Sequence, residues 1–300
     1  MTDGSAQRPN GLVSIFQRLR LSIRTTITKN LTMKVFNSTL LFATSLFLLM
    51  SCAEKREKKQ ETAGAQKEIP SSNPTYDVNH PKTILTAVAK ASGGWNNLWK
   101  KKDVQYTYDY RYADGKADIS TERYIFDSEA SYGKYQKHEI NVMPDQEGIV
   151  IQYFNGNETI VEVGGKKMDA PELIGASDFL RKANYYWFTM PYKLDSKAVI
   201  AKYLGQEEYN GIQYDKVEVS YDPAITGKEQ NDMYIIYVNP ETKLIDRFYF
   251  SLPFLGVNEP VIIANYYYEN VKGLMISTKR TYFMPSENGY SEEPNLVQTL

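Results

Sequence analysis

The chain has few of the residues on which catalytic and metal sites are usually built. Its 300 residues include one cysteine and two histidines, His80 and His138. A zinc site needs three or four cysteine, histidine or carboxylate ligands, so the sequence predicts no metal centre. A hydrolase of the Ser-His-Asp or Cys-His type needs an imidazole beside its nucleophile. The lysine-rich segment around His138, GKYQKHEIN, favours a solvent-facing or hydrogen-bonded histidine over a general base.

Signatures of nucleotide and sugar chemistry are also missing. The sequence contains neither a GxGxxG that opens a helix after a strand nor a GxxxxGK[ST] loop. The adjacent carboxylates Glu207-Glu208 and Glu292-Glu293 would point to opposite faces of a strand, so they do not form the facing pair of a glycosidase. The sequence therefore predicts no catalytic residue, no cofactor and a protein that is not an enzyme.

The apolar run at residues 40–50 is too short to cross a membrane. It holds 11 uncharged residues, whereas a spanning helix needs about 20. Lys34 precedes the run, and the small residue Ser51 and then Cys52 follow it. This order is typical of an export signal. The alternative, in which Cys52 is a small apolar residue that ends a buried helix, does not account for these flanks.

The segment MKVFNSTLLFATSLFLLMSC resembles a bacterial lipoprotein signal with its lipobox, from which Met50 departs slightly. The resemblance implies that residues 33–51 are a signal peptide and that Cys52 is lipidated. Two or three acyl chains would hold the protein on a membrane, because each buried CH₂ contributes about 0.8 kcal/mol. Residues 1–32 precede the signal. We interpret them as a misannotated start, and the alternative is a genuine basic or transit-like extension.

Net charge and position in the envelope follow from this signal. Residues 1–51 carry six of the 35 basic residues and one of the 36 acidic residues, so the remainder has a formal charge of −6. A mildly acidic protein lacks the footprint of a nucleic-acid partner. By analogy with other lipoproteins, Ala53 permits transport to the outer membrane. The basic run KREKK favours a periplasmic orientation, and a surface-facing one stays open.

A flexible tether is predicted between the lipidated cysteine and a single folded domain. Residues 52–80 mix charges with Gly, Ser, Pro and Gln and hold almost no large apolar side chain. The domain takes up residues 81–300. The sole thiol is committed to lipidation, so no disulfide forms and the fold depends on its core.

Helical periodicity appears at two places in the domain. After Pro81, apolar residues recur at helical spacing until Gly93-Gly94, and Trp95 begins a further short turn. A second helix follows a start signal at Pro171, and its apolar face continues to Trp187, where Pro191 is expected to end it.

The rest of the domain has the period-two pattern of strands, most clearly at residues 104–112, where four tyrosines alternate with polar residues. Eleven strands are predicted at residues 104–112, 119–126, 132–142, 149–154, 159–163, 197–207, 212–221, 233–238, 244–250, 261–268 and 274–283. The tail after Pro285 is expected to be frayed. Without strand–helix alternation, this order predicts an α+β domain on one long curved antiparallel sheet, covered by two or three helices.

Several segments carry a resemblance to known proteins. The helix ending in Gly-Gly-Trp and the strand pair YIIYVNPETKLIDRFYF resemble the lipoprotein-carrier superfamily of LolA and LolB type. The segments ANYYWFTMPYKL and YLGQEEYNGIQYDKVEVSY are similar to an uncharacterised family of Gram-negative lipoproteins with this half-barrel. The likeness covers residues 81–285 and implies a half-barrel fold.

Aromatic residues are abundant, with 24 Tyr, 12 Phe and 3 Trp. Most must fill the contact between sheet and helices. The resemblance implies a cavity that accepts acyl chains, with Trp187, Phe188 and Met190 near its lid. The candidates for its concave wall are Tyr106, Tyr108 and Tyr110. Each of these residues is either core filler or ligand lining, and the sequence does not choose between the two.

Two functions from different classes are consistent with this sequence. The first is a non-enzymatic, lipid-anchored envelope protein that binds a lipid or acyl chain in the half-barrel, and it predicts an internal apolar cavity. The second is a structural or interaction module of the outer membrane that docks a partner protein. It predicts a filled interior and an exposed apolar patch of several hundred Å².

Overall fold

The computed structural model describes residues 75–228 and 230–300. The predicted signal peptide and Cys52 lie outside the described residues, so their roles stay predictions. Among the helices of the described part, none is long and apolar enough to cross a membrane.

Strands form almost half of the described chain, and all of the described strands belong to one sheet. The strands are β1 (Asp103–Tyr112), β2 (Ala117–Ile125), β3 (Ala130–His138), β4 (Val150–Phe154), β5 (Thr159–Val163), β6 (Lys166–Lys167), β7 (Val199–Tyr209), β8 (Ile212–Tyr221), β9 (Tyr234–Val238), β10 (Ile245–Leu252), β11 (Val257–Val271), β12 (Leu274–Phe283) and β13 (Leu296–Thr299). Their order is β6-β5-β4-β3-β2-β1-β13-β12-β11-β10-β9-β8-β7, and every neighbouring pair is antiparallel. The sheet is curved and unclosed. This confirms the predicted fold class, with thirteen strands instead of about eleven.

Helices cover one face of the sheet, which we call the inner face. The helices are α1 (Lys82–Ala91), α2 (Trp95–Lys100), α3 (Pro171–Lys193), the four-residue α4 (Pro223–Thr226) and a 3-10 helix (Pro253–Leu255). In α1 the apolar residues Ile84, Leu85 and Val88 recur at helical spacing and are almost fully buried in a core shared with α3 and with strands β8 to β13. Helix α1 therefore packs against both α3 and the sheet.

The tail after Pro285, which the sequence predicts to be frayed, contains the strand β13. This strand pairs with β1 on one side and β12 on the other, and it places Gln298 opposite both Tyr110 and Arg280. It is the one described strand that joins the half built from β1–β6 to the half built from β7–β12. A four-residue strand has too little pattern to be recognised in sequence, because its stability comes from pairing on both edges. The two-residue β6 was missed for the same reason.

The helix α3 continues past Pro191 to Lys193, so the prediction that Pro191 ends it is wrong. A proline has no backbone N–H, and the carbonyl of Trp187, four residues earlier, therefore loses its helical donor. The Nη2 atom of Arg280, on β12, donates to this carbonyl oxygen at 3.3 Å. A side chain from the sheet thus replaces the missing hydrogen bond, which is why the helix can contain the proline.

A buried ion pair connects α3 to the β1–β6 half of the sheet. Arg181 on α3 and Glu122 on β2 are both fully buried, and their closest N–O distance is 2.6 Å. The hydroxyls of Ser120 and Tyr124 donate to the same carboxylate at 2.8 and 3.1 Å. The guanidinium also donates to the Tyr135 hydroxyl. These hydrogen bonds occupy the acceptor sites of the Glu122 carboxylate. Without them, burial of the ion pair would have a large free-energy cost.

Gly133 on β3 makes room for this pair. A Cβ atom at this position would overlap the Arg181 guanidinium and lie 2.8 Å from Oε1 of Glu122. The strand therefore needs a residue without a side chain where the arginine crosses it.

We expect Leu296→Ala to lower the free energy of unfolding by about 2–5 kcal/mol, because the leucine side chain anchors β13 in the main core. Thr299→Ala, at the exposed end of the same strand, should change it by less than about 0.5 kcal/mol. Urea unfolding followed by circular dichroism measures both. Equal effects would contradict an anchored β13.

The single substitution Arg181→Met should cost about 3–5 kcal/mol of stability, because it leaves Glu122 buried and unpaired. The double variant Arg181→Met/Glu122→Leu removes both charges and is expected to recover at least half of that loss. Chemical denaturation of the wild type and the two variants gives the comparison. A double variant as unstable as the single one would show that the ion pair is not what the helix depends on.

Candidate functional site

Two cavities lie beside α3, one on each side of the tyrosine row of β1. The first, which we call the cleft, has a volume of about 160 Å³. Its principal lining residues are Tyr108, Tyr110, Trp187, Phe250, Arg280 and Tyr282. The second, which we call the slot, has a volume of about 520 Å³ and is lined mainly by Leu98, Val104, Tyr106, Phe126, Phe188 and Ile276.

Aromatic rings form opposite walls of the cleft. The period-two pattern of β1 places Tyr108 and Tyr110 on the inner face, where their rings stack with centroids 5.9 Å apart. Trp187 comes from α3 and packs edge-to-face on Phe250 of β10 at 5.0 Å. The cleft therefore offers flat apolar surfaces from both the sheet and the helix.

An aromatic pair lies at the outer end of the cleft. Phe179 of α3 stacks on Phe254 of the 3-10 helix, with ring centroids 4.0 Å apart and nearly parallel planes. Both rings line the cleft, and Phe254 is 61% exposed. Separation of these two rings would widen the mouth without disturbing the sheet.

The cleft also contains polar groups, two of which already have hydrogen-bond partners in the domain. The carboxylate of Asp118 accepts hydrogen bonds from the backbone N–H groups of Ile140 and Asn141 at 2.9 and 2.8 Å. Burial raises the pKa of Asp118, and these backbone hydrogen bonds oppose that rise. The amide oxygen of Gln298 accepts from the Tyr282 hydroxyl at 2.8 Å.

The slot exists because β13 is short. Among the described strands, none lies between residues 103–108 of β1 and residues 274–278 of β12. Helix α2 closes the end of the slot that is farther from β13. There, Asn97 and Lys101 donate to the carbonyls of residues 273 and 272 at 3.3 and 3.2 Å. The volume of the slot falls in the range of ligand sites, about 300–1,000 Å³.

The structure separates the predicted site residues into three groups. Tyr108, Tyr110 and Trp187 line the cleft. Tyr106 and Phe188 line the slot, where their rings stack at 5.8 Å. Met190 is fully buried in the main core and lines neither cavity. Their roles in binding stay predictions, as does the lipidation of Cys52.

Sequence reasoning missed Arg280, Phe179, Phe250 and Phe254 as cavity residues. Arg280 carried a usable signal, because it lies two positions from Tyr282 and therefore shares its face in a period-two strand. A charged residue on a predicted inner face is unusual enough to mark a site. The mouth formed by Phe179 and Phe254 had no comparable signal, because the two residues are distant in sequence.

His138 has a structural role in the described chain. Its Nδ1 and Nε2 atoms lie 3.1 and 2.7 Å from the carbonyl oxygens of Met143 and Gly148. The ring thus spans the loop that follows β3, in agreement with a hydrogen-bonded histidine. Within residues 75–228 and 230–300, no three His, Cys, Asp or Glu side chains lie close enough together to hold a metal ion.

Comparison with protein families gives one partial match. The model of a family of unknown function, DUF6503, matches residues 176–255, which run from α3 to the 3-10 helix. No curated protein sequence matches the chain.

Several solved structures follow a similar course. A putative outer membrane lipoprotein-sorting protein domain from Vibrio parahaemolyticus has 9% identity and a TM-score of 0.45, and the match covers 74% of this chain and 91% of that one. A LolA superfamily protein from Nitrosomonas europaea has 11% identity and a TM-score of 0.41, with 72% and 90% covered. A DUF1329 family protein from Desulfovibrio piger has 13% identity and a TM-score of 0.40, with 76% and 91% covered. At these TM-scores the similarity supports no inference about a ligand. Any such inference rests on the cleft and the slot.

Proposed function

We propose that this protein binds a hydrophobic ligand, a lipid or an acyl chain, between α3 and the inner face of the sheet. The observation that carries the proposal is the pair of aromatic-lined cavities, of which the slot alone has about 520 Å³. Natural ligand sites are mostly apolar and aromatic, with a few polar groups that fix orientation. The cleft and the slot have this composition, and Tyr106 and Tyr108, whose rings are 6.5 Å apart, line one each.

We further propose that binding is not followed by chemistry. A nucleophilic mechanism needs a nucleophile with a base in hydrogen-bond reach. The described lining of the cleft contains no serine, cysteine, histidine or lysine. Its one carboxylate, on Asp118, already accepts backbone hydrogen bonds. The slot is lined by Lys101, Lys272 and Asp103, of which Lys101 donates to the carbonyl of residue 272 and Asp103 pairs with Arg123.

The protein would act at a membrane. We propose that Cys52 is lipidated, that the anchor lies in the outer membrane and that the domain faces the periplasm. Tyr76 already packs on the domain: its hydroxyl donates to Asp215, and the Lys243 ammonium lies 4.7 Å from its ring centroid. The tether would then span residues 53–74, with a root-mean-square length of about 25 Å if it behaves as a flexible coil.

A second candidate function is favoured by the edges of the slot. Below β13, the facing edges of β1 and β12 are separated by a gap with no described strand in it. An extended segment of a partner protein could add there as a strand, since exposed edges pair readily with other chains. This corresponds to an interaction module instead of a lipid carrier.

Native mass spectrometry of the full chain carrying Cys52→Ala tests the first proposal, because this variant has no acyl chains of its own. We expect a stoichiometric fatty acid or phospholipid to co-purify, and organic extraction identifies it. Trp187→Asp should abolish binding in the cleft, because a carboxylate would enter its aromatic wall. Lipid that still binds to this variant would occupy the slot, which Trp187 does not line.

Trp95→Asp is the matched control. This indole is 37% exposed and lines neither cavity, so the bound lipid should remain. Circular dichroism confirms that both variants are folded. A mass without ligand for the Cys52→Ala protein, together with no binding of added palmitate or phospholipid, would contradict lipid binding and favour the partner-docking function.

A further inference from the structure

Arg280 is a buried cation without an anionic partner in the described chain. It lies on the inner face of β12, is 3% exposed and lines the cleft. Its Nη2 atom donates to the Trp187 carbonyl, and its Nε atom lies 3.4 Å from the Ser277 hydroxyl. The guanidinium also lies over the ring of Tyr266, 4.7 Å from the centroid. All of these partners are neutral.

Nearby tyrosines do not supply the missing charge. The Arg280 guanidinium is surrounded by Tyr106, Tyr108, Tyr266 and Tyr282. Burial raises the pKa of each of these four hydroxyls above its ordinary value. They are therefore protonated at neutral pH, whereas arginine stays charged.

The acids on the inner face of β2 are already committed. Glu122 forms the ion pair with Arg181, and Asp118 accepts the two backbone N–H groups described above. Within the described residues, no carboxylate lies within ion-pair distance of Arg280. The contrast with Arg181 is informative, because that second buried arginine has a carboxylate partner, Glu122.

A buried charge is normally paired, since removal from water has a large free-energy cost that an opposite charge must offset. The guanidinium has five N–H donors in a planar fork that fits a carboxylate or a phosphate through two parallel hydrogen bonds. The aromatic walls of the cleft begin beside this fork, at Tyr108 and Tyr282. A charged anchor and an apolar channel are thus next to each other.

We propose that the cleft binds an anionic amphiphile, whose oxyanion head group pairs with Arg280 and whose apolar tail lies between the aromatic walls toward Phe179 and Phe254. This inference rests on the proposed function and adds the chemical class of the ligand. The cleft has about 160 Å³, close to an engineered cavity of about 150 Å³ that holds one benzene molecule. A longer tail must therefore pass the aromatic pair at the mouth.

Equilibrium dialysis of the full chain carrying Cys52→Ala tests the proposal with two labelled probes of equal tail length, decanoate and decanol. We expect decanoate to bind at least tenfold more tightly, because hydrogen bonds to a charged group are stronger than those to a neutral one. Equal affinities would overturn this inference and leave the proposed function intact. Binding of neither probe would overturn both.

Two arginine variants locate the anchor. Arg280→Met should weaken decanoate binding tenfold or more and remove the preference for decanoate over decanol. Arg247→Met removes an arginine from the other face of β10, where its guanidinium lies 4.2 Å from the ring centroid of Tyr209, and should change neither affinity. A preference for decanoate that survives Arg280→Met would overturn the assignment. If that variant does not fold, the comparison of the two probes on the wild type still decides.

Two further probes identify the head group and the need for a tail. Decyl phosphate, compared with decanoate, shows whether the site prefers a phosphate or a carboxylate head group. The proposal is supported if either of these probes binds more than tenfold more tightly than decanol. Inorganic phosphate in millimolar excess should leave bound decanoate in place, because it has no tail. Full displacement by inorganic phosphate would show a simple anion site and overturn the amphiphile assignment.

Discussion

The position of α3 on the inner face depends on the ion pair between Arg181 and Glu122. The pair lies at the β1–β6 half of the sheet, and the hydroxyls of Ser120, Tyr124 and Tyr135 form further hydrogen bonds with it. At the other half, Trp187 packs on Phe248 and Phe250. The helix is thus held by a directional polar contact at Arg181 and by aromatic packing at Trp187. The cleft is lined by helix residues between Ala176 and Trp187, and the slot by the next residue, Phe188.

A side chain of the sheet also replaces a hydrogen bond that the helix lacks. Pro191 frees the Trp187 carbonyl, and Arg280 occupies it. The proline that interrupts the helical ladder therefore leaves an acceptor for one N–H of the arginine, and the Nε atom of the same arginine lies 3.4 Å from the Ser277 hydroxyl. The irregular turn of the helix and the cleft thus share Arg280.

Much of the fold could be predicted from the sequence, because long elements repeat their pattern. The four tyrosines of residues 104–112 and the amphipathic helix after Pro81 specify a strand and a helix without reference to the rest of the chain. The strand β13 and the continuation of α3 beyond Pro191 could not be predicted in this way. Both are stabilised by partners far away in sequence, namely β1 with β12 in one case and Arg280 in the other.

The candidate site was less predictable than the fold. Five of the six aromatic and methionine residues selected from the sequence line a cavity, but they divide between two cavities. Met190 follows the same helical pattern and yet points into the core. Which side of a helix faces a void is decided by packing against both α1 and the sheet, and neither contact is visible in local periodicity.

The central position of β13 has a consequence for how the domain folds. Residues near the end of the described chain complete the middle of the sheet, and Gln298 pairs there with residues of β1 that come early in the chain. The two halves cannot be joined through β13 until this late segment has been made. Such distant pairing raises contact order and slows folding. Before that step the facing edges of β1 and β12 are both open, so the protein passes through a stage in which it is vulnerable to pairing with other chains.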